Sequence, residues 1–142
     1  MKKIVVENPA TNETAYELEA MSAGAIRDAV RRAAKTQAEW KHTPVKDRVA
    51  LVEGFIKELD SDRARIGKEL TRQMGKPLWQ SDREVNGCIE RASHMAAIAE
   101  ESLKDIDAPA GDGEFMKIAL EPKGVVLDIA AWNYPLMVAV SA

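Results

Sequence analysis

The 142 residues predict an α/β chain in which a short β-hairpin and a layer of helices precede extended segments. Three features carry that expectation. Apolar residues recur at three- and four-residue spacing between about Ser22 and Leu103, and they alternate in twos from Glu114 to Glu121. A short apolar run, Val125 to Ala130, then opens at Gly124 and leads into Trp132-Asn133-Tyr134-Pro135.

Lys3 to Val6 reads as a strand. Asn8-Pro9-Ala10-Thr11-Asn12-Glu13 reads as a turn, because Asn and Thr offer local backbone bonds and Pro fixes φ. Thr14 to Leu18 would return as the second strand of the hairpin. Ser22 is placed to cap a helix with Ile26, Ala29, Val30, Ala33 and Trp40 on one face and Arg27, Arg31 and Lys35 on the other. Thr43-Pro44 resembles a cap with a first-turn proline, opening a second helix striped by Val45, Val49, Val52, Phe55, Ile56 and Leu59. Ser61 or Asp62 would cap a third, with Ile66, Leu70 and Met74 inward. Gly75 is its expected left-handed stop, with Pro77 soon after.

Ser81-Asp82-Arg83-Glu84 matches a capping box, in which hydroxyl and carboxylate satisfy each other's free backbone donors. It is expected to open a long helix with Val85, Cys88, Ile89, Ala92, Met95, Ala96 and Ala99 on one side. Lys104 to Gly113, with Pro109, Gly111 and Gly113, reads as a loop. Glu114 to Glu121 alternates and predicts a half-solvated strand, with Met116, Ile118 and Leu120 on one face. After Pro122-Lys123-Gly124 the apolar run reads as a buried strand, and Pro135 stands where the first residue of a helix tolerates a missing N–H. Ligands of open α/β sheets bind just past the carboxyl ends of strands, so the Trp132-Asn133 turn is a candidate site. A helical layer followed by one incomplete strand-turn-helix suits a piece of something larger.

Composition narrows the function classes. A net charge of −3 with 30% charged residues implies neither a polyanionic partner nor an acidic tail. Basic and aromatic residues are not interleaved, which argues against nucleic-acid binding. A lone cysteine, Cys88, cannot form an internal disulfide, and its place on an apolar stripe reads as a core side chain in a reducing compartment. His42 and His94 stand alone, so no metal site is expected. Glu7, Asn8 and Pro9 cut the apolar opening too short for a signal peptide, and no window suits a membrane span; a cytoplasmic location is the expectation.

The motifs, in this order and spacing, resemble the N-terminal part of the aldehyde dehydrogenase superfamily over nearly the whole chain. They are Asn8-Pro9-Ala10-Thr11, Trp40, Arg48, Met74-Gly75-Lys76-Pro77 followed by Glu84, and Pro122-Lys123-Gly124-Val125-Val126 leading into Ile129-Ala130-Ala131-Trp132-Asn133-Tyr134-Pro135-Leu136. The resemblance implies a division into residues 1–113, the hairpin and helical part of the cofactor-domain region; 114–123, a β-arm strand used in oligomerisation; and 124–142, the first strand-turn-helix of a Rossmann-like cofactor-binding domain, incomplete here. It implies an oxidoreductase in which a cysteine thiolate attacks an aldehyde, hydride passes from the thiohemiacetal to NAD or NADP, and a glutamate assists thioester hydrolysis.

By that resemblance Asn133 matches the catalytic asparagine whose side-chain N–H stabilises the developing oxyanion, a donor that can be worth roughly 3 kcal/mol. Ile129, Ala130, Ala131 and Trp132 match residues lining the nicotinamide side of the cofactor cleft. Ala131 replaces the proline usual before the tryptophan, and Asp128 interrupts an apolar strand where an unpaired carboxylate is costly to bury. The family's glycine-containing cofactor turn, glutamate base and nucleophilic cysteine match nothing in these residues. The expectation is therefore a chain inactive by itself, without bound cofactor, whose strands between 114 and 130 pair with a second copy. The alternative is a helical and β-arm interaction module without catalysis.

Overall fold

The computed structural model describes every residue except Met1, Ala110 and Asp112; the last two fall in the loop expected over 104–113 and lie outside the described residues. Among the described residues the order is β1 (Lys3–Glu7), β2 (Thr14–Glu19), α1 (Ala23–Trp40), α2 (Val45–Ser61), α3 (Arg63–Met74), α4 (Leu78–Ser102), β3 (Ile106–Ala108), β4 (Met116–Ile118) and α5 (Pro135–Ala139).

β1 and β2 form the expected antiparallel hairpin, with Ile4 opposite Leu18, Val6 opposite Tyr16 and an irregularity between Val6 and Glu7. Its turn is built locally. The Asn8 side chain accepts from the Ala10 amide at 3.0 Å, Asn8 N–H bonds Glu13 O at 2.8 Å, and Asn12 takes φ 58°. Ser22 caps α1 by accepting from the Ala25 amide at 3.1 Å. No residue of α1 is buried, and its stripe residues Ile26 and Val30 face outward.

α4 is the spine of the molecule: α2, α3 and α5 all pack against it. Leu59 from α2, Leu70 from α3, and Val85 and Cys88 from α4 form the core, with Ile66, Met74, Ile89, Leu136, Met137 and Val140 packed around them. The stripes read from 3.6-residue spacing on α3 and α4 supply most of these contacts, while the α2 stripe supplies Leu59 and leaves Val52 and Phe55 exposed. Gly75 ends α3 at φ 74°, the left-handed stop expected of it.

Five expectations need correction. α2 starts after Pro44, which is itself the N-cap, and no Thr43 side chain caps it. At the start of α3 Asp62 is the N-cap residue, but its carboxylate turns to Arg65 instead of to a backbone donor. α4 begins at Leu78 after Pro77, three residues before the expected capping box, so Ser81 and Glu84 lie inside the helix and are buried. Their polar groups are used across elements and not for a cap. The loop after α4 contains β3, which pairs antiparallel with β4. β4 is three residues long and wholly exposed, shorter than the half-buried strand expected over Glu114 to Glu121.

The run Val125 to Ala130 also differs from expectation. No strand is assigned there, and all six residues are exposed, Asp128 among them. A strand exists only through a ladder partner, and β4 is paired with β3 alone among the described residues. Exposure removes the desolvation cost that a buried Asp128 would have carried.

Candidate functional site

The Trp132-Asn133-Tyr134 turn is held against the helical layer by two charged side chains from another part of the chain. Pro135 is the first residue of α5, as expected, but Tyr134 at the N-cap position has no capping side-chain bond. Glu84 of α4 replaces it: its Oε1 accepts from the Leu136 amide at 3.0 Å. The other oxygen, Oε2, pairs with Lys76 Nζ from the segment between α3 and α4. A carboxylate at a helix N-terminus meets free N–H groups and the positive end of the helix dipole, so its placement is favourable.

Lys76 makes two further contacts in the same turn. Nζ donates to the main-chain carbonyl of Asn133 at 2.9 Å and stands 4.2 Å from the centre of the Tyr134 ring. The Glu84 side chain is fully shielded and that of Lys76 is 10% exposed, so the pair is partnered where an unpaired charge would be expensive. The ion pair thus grips the backbone on both sides of the Tyr134-Pro135 link. Asn133 itself is exposed, and Lys76 holds its carbonyl, leaving the carboxamide outside that contact.

The expected site residues divide into two groups. Asn133 is joined to the helical layer through Lys76, whereas Ile129 and Trp132 are 80% and 79% exposed, and Ala130 and Ala131 are exposed with them. Beside the turn, Tyr134 and Met137 face Trp79, Arg83 and Gly87 across an open cleft of about 340 Å³. Arg83 lies over the Trp79 ring at 5.9 Å. Gly87 permits the approach of α5, since a Cβ there would stand 2.9 Å from Met137 Sδ.

Cys88, one turn along from Glu84, is 1% exposed. Burial first, and the Glu84 carboxylate second, push its thiol above the ordinary value, which disfavours the thiolate a nucleophile needs. It is the core side chain that its stripe implied. Among the described residues no group of three or more His, Cys, Asp or Glu could hold a metal ion.

Lys76 and Glu84 are the site residues that residue patterns alone did not assign. Two signals pointed to them. Glu84 shares an apolar stripe with Val85 and Cys88, which asks for a buried partner, and the helix opening at Pro135 has Tyr134, not Ser, Thr, Asp or Asn, at the position directly before it.

An NADP-dependent glyceraldehyde-3-phosphate dehydrogenase of Arabidopsis thaliana is 28% identical over 154 residues, spanning 99% of this chain and 30% of that protein. An N-succinylglutamate 5-semialdehyde dehydrogenase of Pseudomonas fluorescens is 24% identical over 128 residues, covering 90% of this chain and 26% of its own length. The chain therefore spans between a quarter and a third of these curated relatives. Among solved structures, the NADP-dependent glyceraldehyde-3-phosphate dehydrogenase of Bacillus halodurans C-125, complexed with NADP, superimposes with a TM-score of 0.91 at 25% identity, over 99% of this chain and 30% of that one. The profile of the Aldehyde dehydrogenase family matches residues 1–142, and the chain belongs to that family.

Proposed function

We propose that these residues are the N-terminal portion of an NAD(P)-dependent oxidoreductase that converts an aldehyde to a carboxylate, and that by themselves they do not turn over. The observation that carries this reading is the family match over all 142 residues, together with the anchored turn that presents Asn133. In this reading Asn133 donates its carboxamide N–H to the oxyanion formed when a thiolate adds to the aldehyde. The thiolate is not Cys88, whose burial opposes ionisation. Residues 124–130 form the first strand of a Rossmann-like domain once neighbouring strands stand beside them, and residues 114–123 form a β-arm.

Several relatives are crystallised with NAD or NADP, and when bound such a dinucleotide accepts hydride. In this chain Ile129 and Trp132 are too exposed to enclose one, so the residues present supply at most one wall of a cofactor cleft. Purified chain mixed with NAD+, NADP+ and a panel of aldehydes is expected to give no cofactor reduction at 340 nm. Turnover that survives Cys88→Ser would overturn the proposal of inactivity.

One observation favours a second reading, association without catalysis. Val126, Leu127 and Ile129 are 66%, 82% and 80% exposed, and apolar backbone without a ladder partner invites pairing. A second copy of the chain, joined through residues 114–130, is the partner proposed. Light scattering at rising concentration is expected to show dimers; a strict monomer would exclude it.

A further inference from the structure

We propose that Lys76 and Glu84 are positioning residues for Asn133, an ion pair from the helical layer that sets the direction in which its carboxamide points; this rests on Asn133 being the oxyanion donor. The turn cannot set that direction locally. Tyr134 supplies no cap, α5 is five residues long, and Ala131 leaves the backbone before the turn without a ring to restrain it.

What replaces local stiffness is a clamp on the main chain. Lys76 Nζ holds Asn133 O at 2.9 Å, on the carbonyl bonded directly to the Cα that carries the carboxamide. Glu84 Oε1 holds Leu136 N–H at 3.0 Å, three residues on. Because Glu84 Oε2 also pairs with Lys76 Nζ, the two grips are coupled: losing the charge on either loosens both. The Tyr134 ring, 4.2 Å from Nζ, lies between the two held points and limits where the ammonium can move. The pair stands on rigid supports. Glu84 is 2% exposed on α4 beside Val85 and Cys88, and Lys76 follows directly on the Gly75 stop of α3. A donor held to the transition-state geometry must not reorganise as charge develops, and a buried, doubly bonded ion pair provides that stiffness where an exposed turn does not.

The test reads the carboxamide and not cofactor reduction, so it succeeds or fails independently of whether the chain belongs to an active enzyme. Removing Lys76 alone would leave Glu84 buried and unpaired, which threatens folding. The informative variant is therefore the neutral pair Lys76→Met with Glu84→Gln, alongside Glu84→Gln alone. NMR of the 142-residue chain follows the Asn133 side-chain NH2 signals and the hydrogen exchange of the Leu136 amide, with Val85 and Cys88 amides as a report on the core.

In the double variant the Leu136 amide is expected to exchange about 10-fold faster, as a charge-assisted hydrogen bond becomes a neutral one. The Asn133 carboxamide signals are expected to move toward those of a free asparagine while the core amides stay protected. Glu84→Gln alone, which keeps Lys76 on the Asn133 carbonyl, is expected to fall between the unaltered chain and the double variant. Unchanged Asn133 signals and unchanged Leu136 exchange in a folded double variant would overturn the assignment. So would equal acceleration at Val85 and Cys88, since the pair would then be serving the core and not the turn. The oxyanion role itself fails separately, if Asn133→Ala leaves kcat unaltered in an active full-length protein carrying this segment.

Discussion

Pro9 lies against Gly75. A Cβ on Gly75 would stand 2.5 Å from Pro9 Cγ, so the turn of the N-terminal hairpin docks on the stop of α3 only because that stop is a glycine. The contact joins two motifs that are more than sixty residues apart in the chain, and Arg72 of α3 reinforces it by donating to the Ala15 carbonyl of β2.

Gly75→Ala is therefore expected to act twice, through its φ of 74° and through the clash with Pro9. The combined loss should be about 2 to 4 kcal/mol in urea unfolding. Adding Pro9→Ala should recover the steric part and leave the backbone part. A double variant no more stable than Gly75→Ala would show that the contact does not matter.

Ser81 and Thr71 share a hydrogen bond of 2.8 Å between α4 and α3, and Ser81 is wholly buried. Ser81→Ala should cost about 1 to 2 kcal/mol, because the Thr71 hydroxyl loses its partner. If Ser81 were instead a helix cap, Thr71→Val added to it would bring a further loss. The structure predicts that the pair of changes costs less than the two separately, as read by a double-mutant cycle.

Cys88 should be silent toward a disulfide reagent in the folded chain and react fully in urea. Its raised thiol also predicts a pH effect. A proton held more tightly in the folded state contributes stability that is whole below the ordinary thiol value of 9.0 and is lost as pH rises through the raised one. Thermal unfolding should show that alkaline slope, and Cys88→Ala should remove it.

Asp105 ties the β3–β4 hairpin together, pairing with Lys117 and accepting from the Leu120 amide at 3.3 Å. The Lys117 hydrogen bond, then the Leu120 amide, hold its carboxyl below the ordinary 3.8. Its contribution is therefore present above pH 3.8 and lost as pH falls through the lowered value. Amide exchange at Ile106 and Ile118 should quicken in acid while the helical core stays protected. In Asp105→Asn that acid dependence should vanish.

Local chemistry made much of this chain legible. Ser22 caps α1, Asn8 shapes its own turn, Gly75 stops α3, and Pro135 opens α5, each through bonds or dihedrals within a few residues. The stripes of α3 and α4 gave most of the core because helical spacing puts Leu70, Val85 and Cys88 on inward faces, and α2 adds Leu59. Motif order was enough to place the chain among aldehyde dehydrogenases, which the family profile bears out.

The misreadings share one cause. Ser81 and Glu84 have the spacing of a capping box, and nothing local distinguishes that from a hydroxyl reaching Thr71 and a carboxylate reaching Lys76 and Leu136. Val125 to Ala130 has strand composition, but a ladder depends on neighbours that composition does not supply. The amino-acid order by itself determined the helices, the core-facing residues of α3 and α4 and the place of the Trp132-Asn133 turn ahead of α5, because those follow from short-range sterics and periodicity. How the turn is held was decided by packing: α3 and α4 bring Lys76 and Glu84 to residues more than fifty positions away, where burial makes one ion pair strong enough to fix a backbone that cannot fix itself.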